Sequence, residues 1–420
     1  MLSEKEHGDM MFDYTFLLEW AQFAVRWLHV VTAIAWIGSS FYFIALDLGL
    51  RPEPGAPKGV TGAAWQVHGG GFYHIQKYMV APERMPDELT WFKWESYMTW
   101  VSGFAMLMLL YWAQSQFYLI DPRVMDLPTW GAIAISAGSL TIGWILYDLL
   151  CKSRLGENST TLMVLLYVIL VAMAWGYTQV FSGRAALLHL GAFTATIMTA
   201  NVFLIIMPNQ RIVVADLKAG RTPDPKYGKI AKQRSTHNNY LTLPVVFLML
   251  SNHYPLAFAS EYNWLIASLV FLMGVTIRHF FNTHHAHKGT PWWTWGVTVV
   301  LFLICVWLSS FTGTGEGDDT EAALSPVEAR FAQAAGFEQV TDIVLGRCSM
   351  CHATEPGGFD AITRAPKGVH LENPAQIARA AHQIYVQAGL THAMPPGNLS
   401  FMEAAERKAI RDWYEAATRG

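Results

Sequence analysis

The sequence predicts an all-α chain: a polytopic membrane helix bundle of eight spans, followed by a small helical domain. Three observations carry this prediction. Apolar runs close to the ~20 residues that cross a bilayer recur from residue 16 to residue 311. Only 15% of the residues are charged, where an ordinary soluble domain carries about a quarter. The charge that is present is uneven, and from Gly315 onward the composition becomes that of a soluble protein.

Residues 1–13 form a short acidic tail. The first apolar run, residues 16–46, is too long for a cleavable leader and has no cationic lead-in, so it is expected to stay as an anchor. A polar loop punctuated by Gly and Pro follows at residues 50–95. Further spans are expected at residues 96–117, 129–150, 160–181, 184–207, 240–259, 262–281 and 292–311. Pro128, Pro208 and Pro291 stand at their margins and Pro244 near the start of the sixth, where proline can punctuate a helix.

Lysine and arginine orient the bundle. Arg51, Lys58, Lys77, Arg84 and Lys93 follow the first span, Lys152 and Arg154 the third, a basic run from Arg211 to Arg234 the fifth, and Lys288 the seventh. The opposite loops and the N-terminal tail hold Arg123, Arg184 and Lys5. By the positive-inside rule the odd-numbered loops are cytoplasmic and both termini lie outside. The expected location is thus a bacterial inner membrane, multi-pass, with the C-terminal domain in the periplasm.

Three segments result: an integral membrane domain over residues 1–311, a flexible acidic linker over 312–328 and a small helical domain over 329–420. In the last, one helix should lead into Cys348. A second should start at Pro374 behind Asn373, and a third at Ser400 with Ser400 and Glu403 as a capping box. Cys348-Ser349-Met350-Cys351-His352 reads as the attachment site of a covalent c-type haem, with thioethers from Cys348 and Cys351 and an axial nitrogen from His352. Met394, on the proline-stiffened Ala393-Met394-Pro395-Pro396-Gly397, is the expected second iron ligand. The segment is therefore read as a class I-like cytochrome c domain. A zinc reading of the same cysteines needs further ligands, and Cys151 and Cys305 lie far back in apolar segments.

Polar residues inside spans are costly and become functional candidates. His29 falls mid-span in the first helix, His189 and His253 toward the outer side, and His237 and His279 toward the inner side, with His284, His285 and His287 just beyond. Two uses are open. His29, His189, His253 and His279 are candidate ligands for a b-type haem in the bundle core. Alternatively, inner histidines hold and deprotonate a polar substrate beside Arg278, Asn238, Asn239 and Tyr240. Trp91, Trp94, Trp292, Trp293 and Trp295 fit an interfacial belt. The sequence carries no nucleic-acid signature and no internal repeat.

The run Trp27-Leu-His-Val-Val-Thr-Ala-Ile-Ala-Trp-Ile-Gly-Ser-Ser-Phe-Tyr-Phe43 belongs with four further stretches: His68-Gly-Gly-Gly-Phe-Tyr-His74, Trp91-Phe-Lys-Trp-Glu95, His237-Asn-Asn-Tyr-Leu-Thr-Leu-Pro244 and Ser251-Asn-His-Tyr-Pro255. Together, and with the order of spans and haem motif, they resemble the membrane-bound bacterial urate oxidase (urate hydroxylase) family over essentially the whole chain. The resemblance implies an oxidoreductase of purine degradation that converts urate to 5-hydroxyisourate. Its electrons would pass through haem c to a soluble cytochrome c or another respiratory-chain acceptor. The chemistry asks for a base, an anion-holding group and an electron acceptor. From chemistry and depth, Arg278 is expected to hold the anion, His237 or His279 to take the proton, and Asn238 or Asn239 to meet the purine edge. A urate site on the cytoplasmic side would need a second carrier, most simply haem b, across a hydrocarbon core about 30 Å thick. A periplasmic site would not. The rival readings are another membrane dehydrogenase, for quinol or a small molecule, that reduces its own fused cytochrome, and a transporter or assembly factor with a cytochrome tail.

Overall fold

A computed structural model describes residues 14–79, 82, 85–310, 324–357 and 365–419. The N-terminal tail with Lys5, Arg84 and residues 312–323 of the expected linker lie outside the described residues. Two units are present, one of residues 1–252 and 257–310 and one of residues 253–256 and 311–420.

The first unit opens with α1 (Tyr14–Gly49), long because nothing in its apolar run interrupts it. The segment after it is not wholly loop. Strands β1 (Val60–His68) and β2 (Gly71–Tyr78) pair antiparallel, with His68 opposite Gly71, so the chain is mostly helical instead of all-α. Gly69 and Gly70 make the connection with φ of 60° and 79°, the conformation a two-residue hairpin turn demands. Trp65 and His74 are cross-strand partners and stack at 4.2 Å. Glu53 accepts hydrogen bonds from Trp65, His74 and Gln76. Desolvation acts to raise its carboxyl, and these bonds outweigh it, so the pKa lies below the usual value.

The bundle continues with α2 (Trp94–Met106), a π-helical turn at Leu107–Trp112, the short α3 (Ser115–Tyr118), α4 (Thr129–Lys152), α5 (Ser159–Thr178) and α6 (Gly183–Ala200). A second π turn, Asn201–Ile206, joins α6 to α7 (Met207–Lys218), so helix runs unbroken through Pro208. Pro208 was expected to mark a margin. A proline crowds the carbonyl one turn back, and the widened turn just before it gives that carbonyl room. Then come α8 (Pro225–Ser251), the single turn α9 (Pro255–Phe258), α10 (Asn263–His285) and α11 (Trp293–Ser310).

Among the described residues six helices are long and apolar enough to cross a membrane: Phe16–Gly49, Thr129–Lys152, Ser159–Thr178, Gly183–Lys218, Asn263–His285 and Trp293–Ser310. The other two expected spans are helical but differ in kind. The second is α2 with its π turn, and its first half holds Glu95, Ser96, Tyr97 and Thr99. The sixth is the C-terminal half of α8, whose preceding turns carry Arg234, His237, Asn238 and Asn239.

At the centre, α6 is buried on all sides, as expected of a helix apolar around its whole circumference. Small residues let its neighbours close in. A Cβ on Gly143 of α4 would lie 1.9 Å from the Phe193 ring, and one on Gly274 of α10 would lie 2.5 Å from Pro244. Phe193 is itself fully buried and has nowhere to move, so Gly143→Ala should destabilise the unit by about 1–3 kcal/mol. Thermal unfolding of the detergent-solubilised variant beside wild type checks this.

In the second unit, α12 (Pro326–Gln333) starts inside the stretch expected as linker, because Ser325 and Glu328 form a full capping box. As expected, α13 (Phe337–Arg347) leads into Cys348, and α14 (Pro374–Arg379) starts behind an Asn373 cap. The one-turn α15 (Ala381–Ile384) runs into a π turn at Tyr385–Leu390. The final helix, α16 (Ala404–Arg419), begins four residues later than expected. Phe401 has φ of 55°, which stops helix from starting at Ser400. The N–H of Glu403 is taken by Glu406 instead. Phe331, Val344, Ile377, Ile410 and Trp413 form the core of this unit.

Candidate functional site

Successive residues on an α-helix point about 100° apart, so His237, Asn238 and Asn239 of α8 face three different neighbours. His237 turns to α4, where its Nδ1 meets the Tyr147 hydroxyl at 2.7 Å. Asn238 turns to α6 and donates to the Met198 carbonyl at 2.9 Å. Asn239 turns to α10, where its Oδ1 accepts from Arg278 Nε at 2.6 Å. A polar helix is tolerable in the middle of the bundle because each neighbour supplies a partner.

Around His237 the partners form a continuous network. Asn201, the first residue of the second π turn, donates through Nδ2 to Tyr147 Oη at 3.1 Å and to Asn238 Oδ1 at 3.0 Å. Its Oδ1 accepts from Arg234 at 3.2 Å. Arg234 in turn donates to Asp148 at 2.7 Å, and Lys152 reaches the other Asp148 oxygen at 2.6 Å. Tyr147, Arg234 and His237 are each 1% exposed and Asn201 is 0% exposed. Within this network His237 Nε2 is buried and has no partner. A buried polar atom left open is costly in a structural network and useful in a site that receives a ligand. The π turn at Asn201 fits the tendency of such turns to sit at functional positions.

A second cluster adjoins it. Arg278 donates to Asn239 and Asn282, Asn239 donates to Asn282, and the guanidinium lies 3.9 Å from the centre of the Phe41 ring on α1. Arg278, Asn282 and His285 fall on successive turns of α10, as Phe41, Ala45 and Gly49 do on α1. One turn beyond the Arg278–Phe41 contact these two faces part into an open cleft of about 360 Å³, lined by Ala45, Gly49, His284, His285 and His287. His285 Nδ1 is buried there without a partner.

Of the residues singled out in the sequence, Arg278, Asn239, Asn238 and His237 fall in these two linked clusters. His279 does not: it is exposed on the far side of α10, with its ring 6.2 Å from that of Trp293. Tyr147, Asp148, Asn201 and Arg234 were missed. Asp148 and Arg234 carried a signal, since charges at predicted span ends need partners.

The four histidines considered for haem b differ in what holds them. His29 Nδ1 meets the Thr99 carbonyl at 2.9 Å and Ser102 at 3.2 Å, and Gly103 leaves room for its ring. A nitrogen held by a backbone carbonyl leaves Nε2 to face a metal, so His29 fits the role. His189 fits less well, because both its nitrogens are taken, Nδ1 by the Ala185 carbonyl and Nε2 by Ser136, each at 2.8 Å. His253 groups with the second unit.

In the second unit Cys348 and Cys351 are free thiols on the turn after α13. Burial, aided by the neighbouring Cys351, pushes the Cys348 thiol up to about 11. His352 Nδ1 meets the Val369 carbonyl at 2.8 Å, again leaving Nε2 free, and Ser349 donates to the Leu371 carbonyl. These residues fit a covalent haem c, because the ring that would ligate iron is already oriented by a backbone acceptor. Among the described residues no three His, Cys, Asp or Glu side chains gather to hold a metal ion.

The loop of Met394 is fixed from α16. Arg407 is 5% exposed and donates to the carbonyls of Ala388 at 2.7 Å and Met394 at 2.8 Å, and to Asn398 at 3.3 Å. Arg407→Met keeps the stem but leaves those buried carbonyls unpaired, at about 1–3 kcal/mol each. The variant is expected to unfold at lower temperature in its second unit, followed by circular dichroism of the full chain.

The family model described as "Urate oxidase N-terminal" matches residues 15–309. No curated protein and no solved structure matches the chain.

Proposed function

The chain belongs to the urate oxidase N-terminal family, and we propose that it oxidises urate to 5-hydroxyisourate in a bacterial inner membrane. The observation that carries the site is the buried His237, held by Tyr147 at Nδ1 and open at Nε2. Urate gives up two electrons and two protons, and the oxygen of water adds at C5. Nε2 of His237 would accept one of those protons. Arg278 would hold the anionic ring against the Phe41 face, and Asn239, its neighbour on α8, would meet the amide-like edge of the purine. His285 and the cleft beside it offer an approach from the basic, cytoplasmic side.

In this reading α2 with its π turn and α8 complete eight spans, which places both termini and the second unit in the periplasm. That unit is read as a cytochrome c domain, with Cys348 and Cys351 as thioether donors and His352 and Met394 as axial ligands. When bound, the haem would supply a one-electron acceptor whose electrons leave for a soluble cytochrome c or another respiratory-chain acceptor. A haem b beside His29 belongs to the same proposal, supported by the backbone carbonyl that holds Nδ1 of His29.

An anaerobic absorption spectrum of the purified, air-oxidised protein, before and after urate, tests the reading, together with a pyridine haemochrome assay. A reduced c-type band that grows on urate addition is expected. A c-type haem that dithionite reduces and urate does not would overturn the assignment in favour of another membrane dehydrogenase.

A further inference from the structure

The first unit holds another polar cluster at its other end. Ser182 donates to the Tyr118 carbonyl and Ser260 to that of Leu308, and Gly183 lies so close to the Phe258 carbonyl and Asn263 that a Cβ would meet them at 2.4 and 3.3 Å, so the start of α6, the start of α10 and the end of α11 share one face with α3. Glu19, Gln22 and Arg26 follow one another at helical spacing along one side of α1, and Tyr111, Gln114 and Tyr118 repeat that spacing around the break before α3. His29 meets Gly103 where α1 packs on α2, and antiparallel pairing then sets Gln22 opposite the π turn that holds Tyr111. Arg26 and Arg184 lie within electrostatic reach of Tyr111 and Tyr118, as Glu19 does of Tyr118, and Asn252 is within hydrogen-bonding reach of Tyr111. Gln22 precedes Phe41 by 19 residues on α1, roughly 28 Å along a helix. The cluster is therefore about a bilayer's thickness from the Arg278–Phe41 contact.

Four polar atoms here are buried with no partner: Nε2 of Gln22, Nε2 and Oε1 of Gln114, and Oδ1 of Asn252. Gln22 is only 8% exposed. In the inner clusters Asn239 and Arg278 are bonded to each other and to Asn282, and Asn238 is taken by Met198 and Asn201, whereas these three amides offer two donor groups and two acceptors to nothing. Unpaired buried amides are costly and call for a cause. An amide that presents C=O and NH₂ side by side can make two parallel hydrogen bonds with a –CO–NH– edge. Two guanidinium groups against one carboxylate favour an anion, and the half-buried Tyr118, packed on Tyr111, supplies aromatic surface for a planar ring. Urate has all three properties: fused ureido edges, negative charge at neutral pH and a flat ring system.

We infer that Gln22, Gln114, Asn252 and Tyr111, with Arg26 and Arg184, form a second urate-binding site on the face opposite His237 and Arg278. The inference rests on the urate reading above, and its test separates the two. Binding of radiolabelled urate is measured by equilibrium dialysis on the full chain in detergent, kept reduced with dithionite so that no turnover occurs. Wild type is expected to bind two urates per chain. Gln114→Glu, which keeps the shape of the side chain but adds a negative charge, should weaken one of them at least tenfold. Asn252→Leu, on a different segment, should do the same, so misfolding of one variant does not decide the result. Arg278→Ala should remove the other site. A single site that Arg278→Ala abolishes and both outer variants retain would overturn this inference and leave the proposed function standing. A wild-type chain that binds no urate would overturn both.

Discussion

Replacing His237 by alanine is expected to lower kcat for urate oxidation by about 10²- to 10⁴-fold, the usual contribution of a positioned general base. KM should change little, because the ring would take a proton without carrying much of the substrate's binding. The expectation rests on asymmetry within one side chain: Nδ1 is bound to Tyr147 at 2.7 Å and Nε2 is open in a buried position. Tyr147→Phe separates the base from its support. It keeps imidazole and ring packing but removes the hydroxyl, so a smaller loss of kcat is expected than for His237→Ala. Arg278→Ala should act mainly on KM, as loss of an anion holder does. Steady-state urate oxidation with a soluble cytochrome as acceptor measures all three. A His237→Ala protein that keeps wild-type kcat would move the base elsewhere, and His285 in the cleft would be the next residue to test.

What could be read in the sequence followed the physics of each signal. Apolar runs declare themselves by length, so six spans were legible one by one. In α8 the difficulty is that a polar half and an apolar half form one helix, and its polar residues Arg234, His237, Asn238 and Asn239 are buried only because α4, α6 and α10 bring partners to them. The pairing of Arg278 with Asn239 was legible as depth, since both were placed near the inner end of their helices. The Asp148–Arg234 pair was not, because 86 residues separate its members and only packing joins them. The β1–β2 hairpin was legible in principle from the two glycines between residues of strand propensity. The start of α16 was not legible: Ser400 and Glu403 have the spacing of a capping box, but the backbone turns left-handed at Phe401 between them. Gln22 and Gln114 carry no sequence signal, and Asn252 entered only as part of a quoted stretch, since an uncharged amide is noticed only when it is seen to lack a partner.

Asp148→Asn is expected to destabilise the first unit by about 3–5 kcal/mol, the cost of leaving a buried charge without its counterion. The side chains of Arg234 and Asp148 are 2% and 9% exposed, so water cannot replace the lost carboxylate on the arginine side. Lys152 is 62% exposed, and loss of its bond should matter far less. Replacing both members, as Asp148→Leu with Arg234→Met, removes two desolvated charges together and should restore most of the stability. Thermal unfolding of the three proteins in detergent reads this out, and turnover of the double variant decides what the pair is for. Arg234 holds Asn201, and Asn201 holds Tyr147, which orients His237. A double variant that is stable but has lost most of its kcat would mean that the pair exists to aim the base. One that is stable and fully active would make it a device of folding, with Asn201 and the π turn sufficient to position Tyr147.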